Sequence, residues 1–201
     1  MSVRRWLSVG LLLAAVAVGG KGVWLYAKAQ LAQVLLERAW QETLAEPAGA
    51  GPARPWPWAD TYPVARIEAP RLGVERIVLD GSSGRTMAFG PGHVIGTALP
   101  GEDGNSVVGG HRDTHLAFLR RLRLGDELVV ERADGVRRRY RIDLLEVVDR
   151  GDLGVLADTG AARLTLVTCY PFDAVVPGGP LRYVAGAALV PDGSAVSGPL
   201  A

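Results

Sequence analysis

Cysteine is nearly absent from this 201-residue chain: Cys169 is the single one. That excludes an intrachain disulfide framework and a cysteine-rich zinc site. Histidine is scarce too, with only His93, His111 and His115, which leaves little for a metal cluster. No sign of charge dominates, since 22 Lys and Arg against 21 Asp and Glu give a net +1. Nothing in that balance calls for nucleic acid as a partner. Aromatic residues make up 6%, and all five tryptophans precede residue 59. Turn formers, by contrast, are plentiful: 26 glycines and 13 prolines argue against a helical bundle. A 48% hydrophobic content with 21% charged residues excludes a disordered chain. The length suits one domain of ordinary size plus appendages.

The chain divides into an N-terminal segment (1–29), a stalk and linker (30–63), a domain (64–191) and a loose tail (192–201). Arg4 and Arg5 precede a run from Trp6 to Tyr26 that is almost wholly apolar, interrupted by Lys21. As a helix those 21 residues reach roughly 31 Å, enough to span a bilayer. Trp6 and Trp24 fall where interfacial aromatics lie, and the two arginines keep the N-terminus cytoplasmic. Lys21 can snorkel to the headgroups. The competing reading is a cleaved signal peptide, with Ala15-Val16-Ala17 as a small-residue cleavage pattern. Either way the domain leaves the cytoplasm; the unbroken helical pattern past Lys21 favours an uncleaved anchor.

Gln30 to Glu46 reads as a stalk helix with a weak apolar stripe at Leu31, Val34, Leu35 and Ala39. Pro47 to Pro63 carries five prolines and reads as a linker. Its Trp56 and Trp58 predict that it docks on the domain. From Val64 onward the pattern is β. Short runs at Val64–Glu68, Val74–Leu79, Asn105–Gly109, Glu127–Arg132, Val136–Leu144, Leu145–Val148, Arg163–Thr168 and Leu181–Val190 give about eight strands. Asp134-Gly135 marks a hairpin, and His115–Leu122 a short helix. Many short strands between turn signals argue for a barrel or a sandwich.

Three side chains stand out chemically. Cys169 sits where the run Leu164–Thr168 ends, and strand ends open onto the loops that carry sites. A buried inert thiol is the bland alternative. His111 follows Gly109-Gly110 directly after another strand, where the glycines permit close backbone approach. A histidine beside a cysteine favours the nucleophilic thiolate. His115 is a rival base without that setting, and His93 reads as structural. Arg182 lies 13 residues past Cys169 at the start of the last strand, where a guanidinium could donate to a developing oxyanion. Asp113 could orient His111, but only two residues separate them, and it reads sooner as a cap for the short helix after it. Arg137-Arg138-Arg139 reads as a solvated strand face.

Together, Gly-Gly-His111-Arg-Asp-Thr, then Thr165-Leu-Val-Thr168-Cys169, then Arg182 resemble a sortase, the membrane-anchored cysteine transpeptidase family. The Thr-Leu-x-Thr-Cys signature is matched without a mismatch, and the order His, Cys, Arg agrees. Pro55-Trp56-Pro57-Trp58-Ala59-Asp60 resembles the segment ahead of the domain in sortases of Gram-negative bacteria. The resemblance runs from about Pro55 to Pro191. It implies a mainly β fold, a closed eight-stranded barrel with short helices behind an N-terminal transmembrane helix.

It further implies that Cys169 attacks the threonine carbonyl of a Leu-Pro-x-Thr-Gly-like sorting motif, releasing an amine and forming a thioester. His111 then moves the protons and Arg182 stabilises the tetrahedral intermediate or holds the substrate. Thr168, Val175 and Val176 are candidate substrate contacts. No cofactor or metal is implied. The partners are a substrate protein with a C-terminal sorting signal, an amine acceptor of open identity, and membrane lipid through the N-terminal helix. Other readings fit less well. An L,D-transpeptidase resembles Ser-His-Gly-Cys around its nucleophile, where this chain has Val-Thr-Cys. Papain-like peptidases place Cys before His. A non-catalytic anchored β-domain that binds a partner needs neither His111 nor Arg182.

Overall fold

The computed structural model describes residues 3–46, 51–176 and 178–191. It begins with one unbroken helix, α1 (Val3–Ala45). Within α1 the side chains of residues 3–10, 13–18, 21–23, 25 and 26 lie outside the described ones, and the expected membrane anchor falls largely there. Among the described residues no helix is long and apolar enough to cross a membrane. The expected tail, 192–201, lies outside the described residues altogether.

Eight strands follow: β1 (Pro63–Ala69), β2 (Val74–Leu79), β3 (Gly92–His93), β4 (Asn105–Gly110), β5 (Glu127–Arg132), β6 (Arg137–Asp149), β7 (Arg163–Tyr170) and β8 (Leu181–Leu189). They close into a barrel in the order β1-β2-β3-β4-β7-β8-β6-β5, and β5 pairs back onto β1. Closure removes the open edges that an exposed sheet would present. Between β2 and β3 runs a single helical turn, α2 (Gly84–Met87), capped by the Ser83 side chain on the Thr86 amide.

The core follows from period-2 patterning. Along β1, residues alternate between buried and half-buried, which turns Ala65 and Ile67 inward. Leu128, Val130, Tyr140, Ile142, Leu164, Leu166, Ala185 and Ala187 meet them there. Leu116, Phe118 and Leu119, from the segment after β4, join the same core. That segment forms a 3₁₀ turn at Ala117–Arg121 where a short helix was expected.

The strand assignment needs correction. Leu145–Val148 is not a separate strand, because β6 runs through it past a register shift between Ile142 and Leu144. The eighth strand is instead β3, whose two residues carry no hydrophobic pattern to find. The stalk segment packs on the barrel. Ala32, Leu36, Ala39 and Trp40 are buried against the barrel, whereas Leu31 and Val34 face solvent. The longer apolar side chains of the stripe lie on the wrong face. Polar contacts fix the docked face: Trp40 Nε1 donates to Glu131 Oε2 at 3.2 Å, Gln33 donates to the Phe89 carbonyl at 2.7 Å, and Arg66 pairs with Glu37.

The linker docks through one tryptophan only. Trp56 packs edge-on to Phe89 with ring centroids 5.0 Å apart, while Trp58 is 82% exposed. Arg137 and Arg138 do lie on a strand face, but paired with acids: Glu68 at 2.7 Å and Asp103 at 3.1 Å respectively.

Candidate active site

Strand register brings the three candidate residues together. β4 and β7 run parallel with Gly110 opposite Thr168, so the next residues, His111 and Cys169, emerge side by side at one barrel end. β8 runs antiparallel to β7 with Arg182 directly opposite Cys169. Cys169 is thus flanked by His111 on one neighbouring strand line and by Arg182 on the other. All three line one cavity of about 310 Å³, and Cys169 is partly exposed in it.

The framework around them is tied by buried hydrogen bonds. Thr168, at 2% exposure, donates its hydroxyl to the Gly110 carbonyl at 2.7 Å. It lines the cavity, yet that bond commits its proton to holding the backbone just before His111. One guanidinium nitrogen of Arg182 donates to the carbonyls of Gly179 (2.9 Å) and Leu181 (2.8 Å). Its other N–H groups make no hydrogen bond among the described residues.

Val175 and Val176 do not line this cavity. They stand 96% and 75% exposed on the loop between β7 and β8. The apolar wall comes instead from Val94, Val107, Val155, Leu156 and Val167. Sequence reading missed Val155 and Leu156, and it missed the residue that places them. Asn105, buried at the start of β4, donates through Nδ2 to the carbonyls of Val155 and Ala157, both at 3.0 Å. Thr165 donates to the Asn105 side-chain oxygen at 2.7 Å. An asparagine on a strand gives no signal of this role, because its partners lie 50 and 52 residues away. Arg112 was passed over as well. It donates to the Ala174 carbonyl at 2.5 Å and to that of Val176 at 3.4 Å, tethering the β7–β8 loop to the His111 segment.

The other histidines separate clearly. His93 is buried, and its Nε2 faces the carbonyls of Ala98 at 2.9 Å and Thr97 at 3.2 Å, so Nε2 carries the proton and the ring is structural. His115 does not reach the Cys169 cavity. Burial above all pushes its pKa below the ordinary histidine value; Arg76 and His111 push the same way, against a hydrogen bond to the Ala88 backbone and the charge of Asp113. Asp113 caps no helix, since the 3₁₀ turn begins after Leu116 without a side-chain cap. Among the described residues no group of His, Cys, Asp and Glu side chains is placed to hold a metal ion.

The chemistry such a site supports is acyl transfer: a thiol nucleophile, an imidazole proton carrier and a guanidinium donor around one cavity. The comparisons agree with this arrangement. The family description Sortase domain matches residues 67–190. Sortase D of Bacillus subtilis (strain 168) is 31% identical over 119 residues, a match that covers 59% of this chain and 59% of that relative. A Clostridium perfringens Sortase D5 transpeptidase superposes with a TM-score of 0.60 at 25% identity, over 80% of this chain and 99% of that one. Sortase C-1 of Actinomyces oris gives 0.57 at 30% identity, over 64% and 75%. With the family matched from within β1 through the end of β8 and the fold shared, this chain belongs to the sortase family.

Proposed function

We propose that the chain is a membrane-anchored cysteine transpeptidase. It cleaves a C-terminal Leu-Pro-x-Thr-Gly-like sorting motif between Thr and Gly and transfers the acyl part to an amine. The observation that carries this is the placing of Cys169 between His111 and Arg182 by two strand registers. Cys169 Sγ attacks the threonine carbonyl carbon, and a tetrahedral oxyanion forms. The free N–H groups of Arg182 are the donors available to that oxyanion; one such donor is commonly worth about 10²–10³ in rate. His111 protonates the departing glycine amine, and the thioester remains on Cys169. An incoming amine then loses its proton to His111 as it displaces the thiolate. Val155 and Leu156 offer an apolar wall for the Leu-Pro part of the motif.

In this reading residues 6–26 hold the chain in the inner membrane with the barrel outside the cytoplasm, which in a Gram-negative envelope is the periplasm. The Trp6-to-Tyr26 run, the flanking arginines and the continuity of α1 support that placing.

The test is mass spectrometry of the full chain incubated with Leu-Pro-x-Thr-Gly peptides and an amine. A thioester adduct on Cys169 is expected, absent in Cys169→Ala. Loss of turnover by about 10³-fold or more is expected in His111→Ala and by about 10²-fold or more in Arg182→Ala. A folded chain whose thiol is inert to alkylation and to every peptide would instead favour a non-catalytic binding domain.

A further inference from the structure

Ser82 and Val94 each line two cavities. One is the cavity of Cys169, His111 and Arg182. The other, about 510 Å³, is lined among others by Asp60, Asp80, Ser83 and Ile95. None of the three reacting groups lines it. The two cavities adjoin because β3 carries no side chain at Gly92. A Cβ there would collide with the Gly81 carbonyl oxygen, so the Gly81–Ser82 backbone lies directly against β3.

Chain length decides what reaches this second space. An extended peptide advances about 3.3 Å per residue. With the scissile threonine carbonyl at Cys169, the Leu of the motif lies three residues upstream, or roughly 10 Å away. The apolar wall that receives Leu-Pro fixes the direction in which those residues run. Val107 stands four positions before His111 on β4, roughly 13 Å from the catalytic end. Val94 donates its amide to the Val107 carbonyl at 2.8 Å. The Leu therefore stops short of Val94, and the one or two residues before it pass Val94 and enter the second cavity. Resting on the transpeptidase reading, we propose that this cavity is an upstream subsite, and that it takes a basic side chain one or two residues before the Leu of the sorting motif.

The lining selects a cation. Among the described residues it contributes two carboxylates and no basic side chain. Asp80 has the Tyr62 hydroxyl beside it and no ion-pair partner among the described residues. Asp60 pairs with Arg85 at 3.2 Å, but both side chains are exposed, and such a pair is readily exchanged for another. Ile95, 74% exposed, offers apolar surface to the methylene stem of a lysine or arginine. An acidic residue in the same place would face two like charges.

The test uses the full chain and three peptides that share one Leu-Pro-x-Thr-Gly core. They differ in the two residues before it: Lys-Lys, Ser-Ser or Glu-Glu. The measured quantity is kcat/KM for release of the glycine fragment. The wild-type chain is expected to favour Lys-Lys over Ser-Ser by about three- to tenfold, through KM, and to use Glu-Glu least well. Asp60→Asn combined with Asp80→Asn is expected to bring the Lys-Lys to Ser-Ser ratio within about twofold of one. A ratio cancels any general loss of activity. Asp60 is exposed, so Asp60→Lys decides the matter should Asp80→Asn disturb the fold; it is expected to shift the preference toward Glu-Glu. Equal use of the three peptides, or a preference that survives these variants, overturns the subsite and leaves the transpeptidase reading standing. A Lys-Lys preference found only when the lysines follow the glycine overturns the upstream placing. A wild-type chain that cleaves none of the peptides overturns the subsite and the transpeptidase reading together.

Discussion

Asn105 shows how much of the site rests on one side chain remote from the chemistry. Its amide holds the carbonyls of Val155 and Ala157, which keeps the loop after β6 folded against the cavity. Asn105→Ala leaves the part-buried carbonyls of Val155 and Ala157 without their donor and the buried Thr165 hydroxyl without its acceptor. It is expected to cost about 1–3 kcal/mol in urea unfolding. It should also raise the KM for the sorting peptide more than it lowers kcat, since Val155 and Leu156 line the cavity and the reacting groups do not move. Equal losses in both constants would count against that role.

His115 supplies a second prediction at this scale. Its pKa in the folded chain lies below the ordinary value, with burial as the main cause. As pH falls through about 6.5 the unfolded chain takes up a proton that the folded chain resists. Stability is therefore present above that pH and is lost as pH falls toward the folded pKa. His115→Gln is expected to flatten the fall in thermal midpoint between about pH 6.5 and 5. An unchanged slope would place the acid sensitivity elsewhere.

That Cys169, His111 and Arg182 share one cavity was legible because each follows a strand-end or glycine signal and the three together match the family's motifs. Asn105 and Arg112 were not. Their roles lie in bonds to backbone carbonyls more than 45 residues away, and a carbonyl has no letter in the sequence.

Among the elements, the strands with alternating apolar residues were the legible ones. β1, β5, β7 and β8 fall within a few residues of their expected bounds. β3 escaped because two residues carry no period, and the β6 runs were divided because a register shift breaks their alternation. In α1 the docked face is built from two alanines, a leucine and a tryptophan, so a stripe sought among the larger aliphatics points to the solvent side. Trp40 is the anchor of that face: fully buried, with its indole N–H on Glu131. Trp40→Ala is expected to cost about 3–5 kcal/mol, measured by urea unfolding. Trp40→Phe, which keeps most of the volume and loses the hydrogen bond, should cost about 1 kcal/mol. A chain begun at Ala48 removes the whole face and is expected to be less stable still. Near-wild-type stability of that truncated chain would make α1 an appendage after all.

For the molecule as a whole, the closed barrel explains how residues from three distant stretches meet. β4, β7 and β8 are neighbours in the sheet though 52 residues, 111–162, separate the end of β4 from the start of β7. A barrel or a sandwich was as far as patterning alone could go, because alternation fixes which side of a strand is buried and not which strand lies next to it. The barrel's outer surface is a lattice of ion pairs across strands, such as Arg137 with Glu68 and Arg163 with Asp143. Exposed pairs of this kind add little stability singly. They leave few unpaired charges along these strands to draw in a non-specific partner.

The docked, unbroken α1 sets the mechanics of the enzyme at a surface. A flexible tether would let a catalytic domain tumble and sweep a volume. Here, with residues 6–26 seated in a bilayer as proposed, the last lipid-facing turn and the buried Leu36 are ten residues apart on one helix, a rise of about 15 Å. In that placing the barrel has little slack in height, because a continuous helix and not a flexible tether carries it. With the chain so placed, the height of a scissile bond above the lipid becomes a condition on what can reach Cys169.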